Sequence, residues 1–170
     1  MSWGPPPLTT DRLYLACPDD ADHPGYALDG RTAAEQELPG LPSNWKIFLK
    51  EGDRPIGTIG FIRWERKARL GEIGFILMHH FTGRGFMTEA CTAVLAFGFG
   101  GMGLDAIEGK SLPQNAASIR VLEKVGMRKT GCIQGRLWSK GPLINLDRFV
   151  IEKKVDSLTA NGAPGKGLDH

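Results

Sequence analysis

Apolar and polar residues alternate along three neighbouring stretches of the first half of the chain, and this alternation predicts three β-strands. The stretches are residues 45–50, 56–63 and 70–78. The breaks between them, 51–55 and 65–68, are short and rich in charged residues. Because short turns join antiparallel neighbours, we expect an antiparallel meander. A shorter alternation over 12–16 predicts an opening strand.

The periodicity changes after Gly85 to the spacing of an α-helix. Apolar residues recur on one face until the glycine cluster 98–103, which is expected to stop the helix. The apolar positions are Phe86, Ala90, Ala93, Val94 and Phe97.

The second half of the chain predicts three more strands and a second helix. A strand is expected over 104–110. Asn115 then provides an N-cap for a helix with Ile119, Leu122 and Val125 on one face, and Gly126 ends it as a left-handed residue. Strands over 128–134 and 146–153 follow, joined across a turn at 139–142.

The order of these elements indicates an α+β domain with a mixed sheet. We expect a single domain over 1–154, because 170 residues are enough for one core and too few for two. The region 17–44 holds several Pro, Gly and acidic residues and is predicted to be mostly loop with one or two helical turns. The composition of 155–170 predicts a disordered tail.

Composition and charge argue against several classes of protein. The longest uncharged run, 90–104, is shorter than the roughly 20 apolar residues of a membrane span. A net charge of +2 without a long basic run gives no indication of a nucleic-acid partner. Cys17, Cys91 and Cys132 form no metal or disulfide pattern and are interpreted as reduced, mostly buried thiols. Residues 1–9 do not resemble a signal peptide, so a cytoplasmic protein is expected. No metal is expected either, because the cysteines form no ligand pattern.

The most informative local sequence is 82–88, where a buried strand leads through a glycine-flanked turn directly into a helix. Gly83 and Gly85 allow backbone angles that other residues resist, and the helix N-terminus offers free N–H groups and a favourable dipole. Such a turn suits a phosphate or pyrophosphate, to which Arg84 can add a charged contact. No Gly-Lys-Ser/Thr follows, which argues against ATP or GTP. The alternative is a tight turn that binds nothing.

A second glycine pattern, at 98–103, matches the Gly-x-Gly-x-x-Gly arrangement of dinucleotide-binding proteins. That arrangement must follow a strand and open a helix, whereas here it follows a helix and precedes a strand. We therefore interpret it as the end of a helix and a loop.

Two motifs together resemble the acetyl-CoA signature of the GNAT acetyltransferase superfamily. The first is the turn 82–87 with Thr-Glu-Ala at 88–90, and the second is 115–127, Asn-Ala-Ala-Ser-Ile-Arg-Val-Leu-Glu-Lys-Val-Gly-Met. The chain looks closest to the Rim branch of ribosomal-protein N-terminal acetyltransferases. Its segment 10–13, Thr-Asp-Arg-Leu, resembles the first strand of that branch. The resemblance implies a GNAT-type fold, a mixed and mostly antiparallel twisted sheet flanked by helices. It also implies transfer of an acetyl group from acetyl-CoA to a primary amine by direct attack.

The resemblance implies acetyl-CoA contacts in three places. The strand end, Phe75, Ile76 and Leu77, would bind the pantetheine arm through its backbone like an added strand. The turn and helix start would hold the pyrophosphate; these residues are Thr82, Gly83, Arg84, Gly85, Phe86, Met87 and Thr88. Asn115 would contact the pantetheine, and Ser118 would stand near the sulfur. The alternative roles of these two residues are an N-cap and an ordinary first-turn residue.

Direct attack needs a base for the ammonium proton and a donor for the leaving thiolate. Ser118 is the predicted donor, directly or through water. Glu72 is the first candidate for the base, because strand alternation puts it on the face of Gly74 and Ile76, which points either into the cleft or to solvent. Glu89, one turn into the helix, is the second candidate and can instead stabilise the helix dipole.

The chain departs from the superfamily at three points. Thr82 stands where Gln or Arg is usual, and Met87 stands where Gly or Ala is usual and would crowd the pyrophosphate. The tyrosine that many relatives use as thiolate donor is absent, since Tyr14 and Tyr26 lie elsewhere. The alternative to an enzyme is therefore a GNAT-fold module that binds acyl-CoA without turnover, or an interaction domain.

The amine acceptor is the part of the function that the sequence leaves open. Region 17–44 corresponds to the two helices that line the acceptor site in relatives, and it is too short and broken for a full pair. The groove is therefore expected to be unusually open, completed by a second subunit of a homodimer, or poorly formed. An open groove would suit a peptide N-terminus. An acidic rim would suit a polycationic small molecule. The acidic residues are Asp19, Asp20, Asp22, Glu35 and Glu37.

Overall fold

The computed structural model describes residues 5–16, 43–52, 54–135 and 142–155. Within these residues the chain forms an eight-stranded sheet, two α-helices and a 3-10 turn at His79–Phe81. The strands are β1 (Leu8–Thr9), β2 (Leu13–Ala16), β3 (Ser43–Leu49), β4 (Pro55–Glu65), β5 (Leu70–Leu77), β6 (Ala106–Ser111), β7 (Arg128–Gly135) and β8 (Ile144–Glu152). The helices are α1 (Phe86–Gly100) and α2 (Ala116–Lys124).

The strands lie in the order β1-β2-β3-β4-β5-β6-β8-β7, and all neighbours are antiparallel except β5 and β6. A parallel pair needs a long crossover connection, which α1 supplies between β5 and β6. The predicted fold class, an α+β domain with a mixed and mostly antiparallel sheet, is confirmed.

The hydrophobic core lies between α1 and the sheet. Buried side chains of α1 meet large apolar residues of the central strands. The ring of Phe97 packs edge-on against Trp45 of β3, with 5.5 Å between the ring centres. Cys91 is fully buried here, and burial raises the pKa of its thiol to about 12. The thiol therefore stays protonated and acts as a core side chain.

The helix α1 ends at Gly100, within the glycine cluster 98–103 that was predicted to stop it. Gly98, the first glycine of the cluster, is still helical and has a further role. A Cβ at Gly98 would lie 2.7 Å from Cζ of Phe61 and 2.8 Å from Cδ1 of Ile107. Gly98 is thus a position of close contact between helix and sheet, and the glycine is required by packing rather than by helix termination.

The helix α2 begins and ends as its sequence predicts. The side chain of Asn115 accepts a hydrogen bond from the backbone N–H of Ser118 at 3.1 Å. Gly126 follows the helix with a φ of +99°, the left-handed conformation expected after a last turn.

Other sequence predictions are corrected or lie outside the described residues. The short strand β1 was not predicted, and Cys132, expected to be mostly buried, is exposed on β7. The predictions for 17–42, for most of the turn at 139–142 and for 156–170 concern residues outside the described ranges. In the described part of the chain, no helix is long and apolar enough to cross a membrane. No group of three or more potential metal ligands occurs in that part either.

Candidate functional site

A gap opens between the two parallel strands at the centre of the sheet. The strands β5 and β6 pair from Leu70 and Ala106 to Ile73 and Gly109, and the pairing stops there. Residues 74–77 of β5 remain paired with β4 only. Their backbone groups on the side of β6 form an unpaired strand edge inside the sheet, which can accept an extended ligand as an additional strand.

The turn after β5 presents free N–H groups beside this edge. Gly83 and Gly85 have φ angles of +77° and +81°, which glycine adopts without strain. Gly85 is the N-cap of α1 and provides no side-chain cap. The N–H groups of the first helical turn, Phe86 to Thr88, therefore lack intrahelical acceptors, and the helix start is suited to an anion.

A cavity of about 390 Å³ joins the strand edge, the turn and the start of α2. Its volume is within the range of small-molecule sites. It is lined by all the residues that the sequence predicted for acetyl-CoA except Arg84, whose guanidinium lies 6.0 Å from the centre of the Phe81 ring. The lining residues that were predicted are Phe75, Ile76, Leu77, Thr82, Gly83, Gly85, Phe86, Met87, Thr88, Asn115 and Ser118.

The two unusual residues of the turn have structural roles. Met87 is only 3% exposed and packs in the hydrophobic core, although it also contributes to the lining of the cavity. Its burial in the core argues against the predicted crowding of a pyrophosphate. The hydroxyl of Thr82 donates to the carbonyl O of His79 at 2.7 Å and closes the 3-10 turn.

Two cationic residues of the cavity were missed by the sequence analysis. Arg120 and Lys124 of α2 line it together with Ser118 and Val121. Residues three and four positions apart share one face of a helix. Val121 lies three positions after Ser118, and Lys124 lies three after Val121 and four after Arg120, so this spacing could have indicated Lys124. Their charges make this wall of the cavity attractive to an anionic ligand.

Glu72 lies in a charged cluster outside the cavity lining. The carboxylate is 5% exposed, with Oε2 at 3.1 Å from Nζ of Lys110 and 3.4 Å from Nε of Arg63. Its neighbour Glu108, also buried, pairs with Arg63 and with Arg148. The structure therefore does not bring Glu72 and Ser118 to the same cavity, and the role of Glu72 as base stays a prediction.

Glu89 connects the start of α1 to the N-terminal segment. Its Oε1 accepts hydrogen bonds from the hydroxyl of Thr10 at 2.6 Å and from the backbone N–H of Arg12 at 2.8 Å, and its Oε2 accepts from Nε of Arg12 at 2.7 Å. Partial burial alone raises the pKa of Glu89, but these hydrogen bonds and the Arg12 charge together lower it below its ordinary value of 4.5. Both carboxylate oxygens are occupied, which suits a structural role.

The contacts of Glu89 predict a pH-dependent contribution to stability. A carboxylate whose pKa is lowered by folding stabilises the protein above its unfolded pKa, and this contribution is lost as the pH falls through the folded pKa. We expect Glu89→Gln to reduce the free energy of unfolding by about 1 kcal/mol at pH 7, with the difference from wild type shrinking below pH 4.5. Urea unfolding at several pH values measures this. Glu123→Gln, at an exposed site of α2, is the control, and an equal loss there would contradict the assignment.

An open strand edge beside an uncapped helix start defines a site for an extended ligand with an anionic group. Residues 4–128 match the family described as "Acetyltransferase (GNAT) domain". The chain belongs to this family and is an N-acetyltransferase. The enzyme interpretation is thus favoured over a non-catalytic module or an interaction domain.

A relative of similar sequence and two solved structures of similar fold accompany this assignment. The uncharacterized N-acetyltransferase p20 of Bacillus licheniformis is 33% identical over 117 residues, which cover 69% of this chain and 66% of p20. A putative ribosomal-protein-serine acetyltransferase from Vibrio cholerae has a similar fold, with a TM-score of 0.67, 15% identity and coverage of 86% of this chain and 97% of that chain. A RimL ribosomal L7/L12 acetyltransferase solved with coenzyme A has a TM-score of 0.57, 19% identity and coverage of 64% and 60%.

Proposed function

We propose that this acetyltransferase binds acetyl-CoA in the cavity between β5 and α2 and transfers the acetyl group to a primary amine by direct attack. The observation that carries the proposal is the continuity of three features in one cavity: the unpaired strand edge, the uncapped start of α1 and the start of α2. Acetyl-CoA has matching parts, since its pantetheine arm is an extended amide chain and its pyrophosphate is an anion.

Each part of the cavity has its own role in this proposal. Residues 74–77 would exchange backbone hydrogen bonds with the pantetheine amides. The N–H groups from Gly83 to Thr88 would hold the pyrophosphate at the positive end of α1. Arg120 and Lys124 would add charged contacts to the phosphates, in the manner of other cationic side chains at phosphate sites.

Ser118 is the proposed donor to the leaving thiolate. Bound acetyl-CoA supplies the thioester, and the residues of this chain supply position and proton transfer. The backbone N–H of Ser118 is held by Asn115 at 3.1 Å, which fixes the first turn of α2, and the side chain lies in the cavity wall. Its hydroxyl can therefore donate a hydrogen bond to a sulfur in the cavity, directly or through water.

Kinetics of two variants test the proposed catalytic residues. We expect Ser118→Ala to lower kcat by about 10-fold or more, with little change in the Kd of coenzyme A, because the lost hydrogen bond forms only in the transition state.

Glu72→Gln is expected to lower kcat by about 100-fold if its carboxylate accepts the ammonium proton. Glu65→Gln is the control, since Glu65 also pairs with Arg63, at 3.1 Å, but is exposed. Equal losses in both glutamine variants would contradict a base role for Glu72.

For the acceptor we propose a peptide N-terminus, as in the Rim branch. The support is the resemblance of the motifs at 10–13 and 115–127 and the fold similarity to the two ribosomal-protein acetyltransferases. A polycationic small molecule is the competing acceptor class. The proposal of a peptide acceptor includes a second subunit that completes the acceptor groove.

A thermal melt with saturating acetyl-CoA or coenzyme A is the first test of the proposed function. A ligand at about 100 times its Kd stabilises the folded state by roughly 2.7 kcal/mol, which raises the midpoint by several degrees. A raised midpoint supports the coenzyme site, and release of free thiol in the presence of peptides or polyamines then identifies the acceptor class. A midpoint that neither ligand changes would contradict the proposal.

A further inference from the structure

Arg12 lies beside the glycine turn but not in the cavity wall. Its guanidinium contacts three points of the turn and of α1: Nε donates to Glu89, an Nη donates to the carbonyl O of Arg84 at 3.1 Å, and Cζ lies 4.4 Å from the centre of the Phe86 ring. Arg12 is absent from the residues that line the cavity. One side chain therefore contacts the turn, the first residue of the helix and the fourth.

Glu89 holds this arginine in place. Its carboxylate binds both the guanidinium and the backbone N–H of Arg12, and it also accepts a hydrogen bond from Thr10. Because two separate groups of Arg12 bind one carboxylate, the segment before β2 has a fixed position against α1. The motif at 10–13 thus has a physical role that its sequence alone does not show: it connects the N-terminal segment to the start of α1.

The contact with the carbonyl O of Arg84 sets the orientation of the peptide group that joins Arg84 to Gly85. The carbonyl and the N–H of a trans peptide point in opposite directions. With its carbonyl O bound to Arg12, the Arg84 peptide directs the N–H of Gly85 away from Arg12. Gly85 lines the cavity and Arg12 does not, which agrees with a Gly85 N–H directed toward the cavity. Two glycines with positive φ flank Arg84, and glycine has few intrinsic restraints of its own.

We propose that Arg12 is a positioning residue for the coenzyme: it holds the Arg84 peptide so that the turn presents its N–H groups to the pyrophosphate before the ligand arrives. The inference rests on the proposed function. A turn that is ordered in advance binds more tightly, since less conformational freedom is lost on binding. Lysine cannot replace the arginine here, because a single ammonium does not bridge a carbonyl, a ring face and a carboxylate at once.

Titration of coenzyme A by calorimetry compares wild type with Arg12→Gln, Arg12→Lys and Arg69→Gln, each well below its melting midpoint. Arg69 is the matched control at the other end of α1, since it donates to the carbonyl O of Gly103 at 2.8 Å and pairs with Asp105 at 3.3 Å. We expect both Arg12 variants to raise the Kd about 10-fold or more, and Arg69→Gln to change it less than about 2-fold. Amide hydrogen exchange at 83–86 in the free protein should be faster in the Arg12 variants only.

The outcomes separate this inference from the proposed function. Binding to Arg12→Lys at wild-type strength would show that charge alone matters, and an equal loss in Arg69→Gln would show a general loss of stability; either result overturns the inference. Unchanged binding to Arg12→Gln overturns it as well. If wild type itself fails to bind, the proposed function fails first and the inference with it. Should Arg12→Gln not fold, Glu89→Gln removes the carboxylate partner instead, and a Kd equal to that of wild type would overturn the inference.

Discussion

Gly83→Asp is expected to weaken acetyl-CoA binding about 30-fold while leaving the fold intact. Nothing lies within 4 Å of a Cβ at Gly83, and its φ of +77° belongs to the region that Asp and Asn tolerate best after glycine. The new carboxylate lies beside the uncapped start of α1, where it repels a pyrophosphate by about 2 kcal/mol at the dielectric of a partly exposed site. The same carboxylate is favourable for the helix dipole, which offsets part of the strain of a side chain at a positive φ, so the free protein should melt only slightly lower than wild type.

Gly83→Asn is the matched control for this charge. It has nearly the same size and backbone preference as the aspartate but no charge, and we expect its Kd to remain within about 3-fold of wild type. Calorimetric titration of acetyl-CoA into both variants measures the difference. Equal weakening by Asp and Asn would show a steric effect, and no weakening by Asp would place the phosphates away from the turn.

Gly98→Ala is expected to reduce the free energy of unfolding by about 2 kcal/mol, although alanine is the better helix former. The added Cβ would lie 2.7 Å from Phe61 and 2.8 Å from Ile107, both fully buried in the core. Neither side chain can move without disturbing its own neighbours, because protein cores are close-packed. The overpacking cost therefore exceeds the gain in helix propensity.

Gly100→Ala, two residues further along α1, provides the opposite expectation. No atom lies within 4 Å of its Cβ position, so the alanine should stabilise the helix by up to about 1 kcal/mol. Urea unfolding of both variants measures the pair under identical conditions. If the two alanines change the free energy of unfolding in the same direction, the proposed packing role of Gly98 is wrong.

The sequence predicts this fold well wherever a local pattern decides the structure. Alternation places the strands of the meander, and the glycine-flanked turn and the Asn115 cap are local signals whose chemistry acts over a few residues. The strand end, the turn and the helix start predicted to bind acetyl-CoA lie next to each other for the same reason, since here a strand runs directly into a helix. Asn115 and Ser118 reach the same cavity through the packing of α2.

Features that depend on distant parts of the chain are not visible in the sequence. Arg12 and Glu89 are 77 positions apart, and only the packing of α1 against the N-terminal strands brings them together. The same holds for Glu72, whose partner Lys110 lies on another strand, 38 positions away. The packing role of Gly98 is likewise hidden, because a glycine that ends a helix and one that allows a close approach have the same sequence signal.

The short pairing between β5 and β6 also has a mechanical consequence. It joins a five-stranded part of the sheet, β1 to β5, to a three-stranded part, β6 to β8, through only four residue pairs. A ligand that adds its own backbone-like amides to the open edge of β5 would strengthen the connection between these two parts of the sheet. Coenzyme binding would then restrict movement of the two parts of the sheet relative to each other.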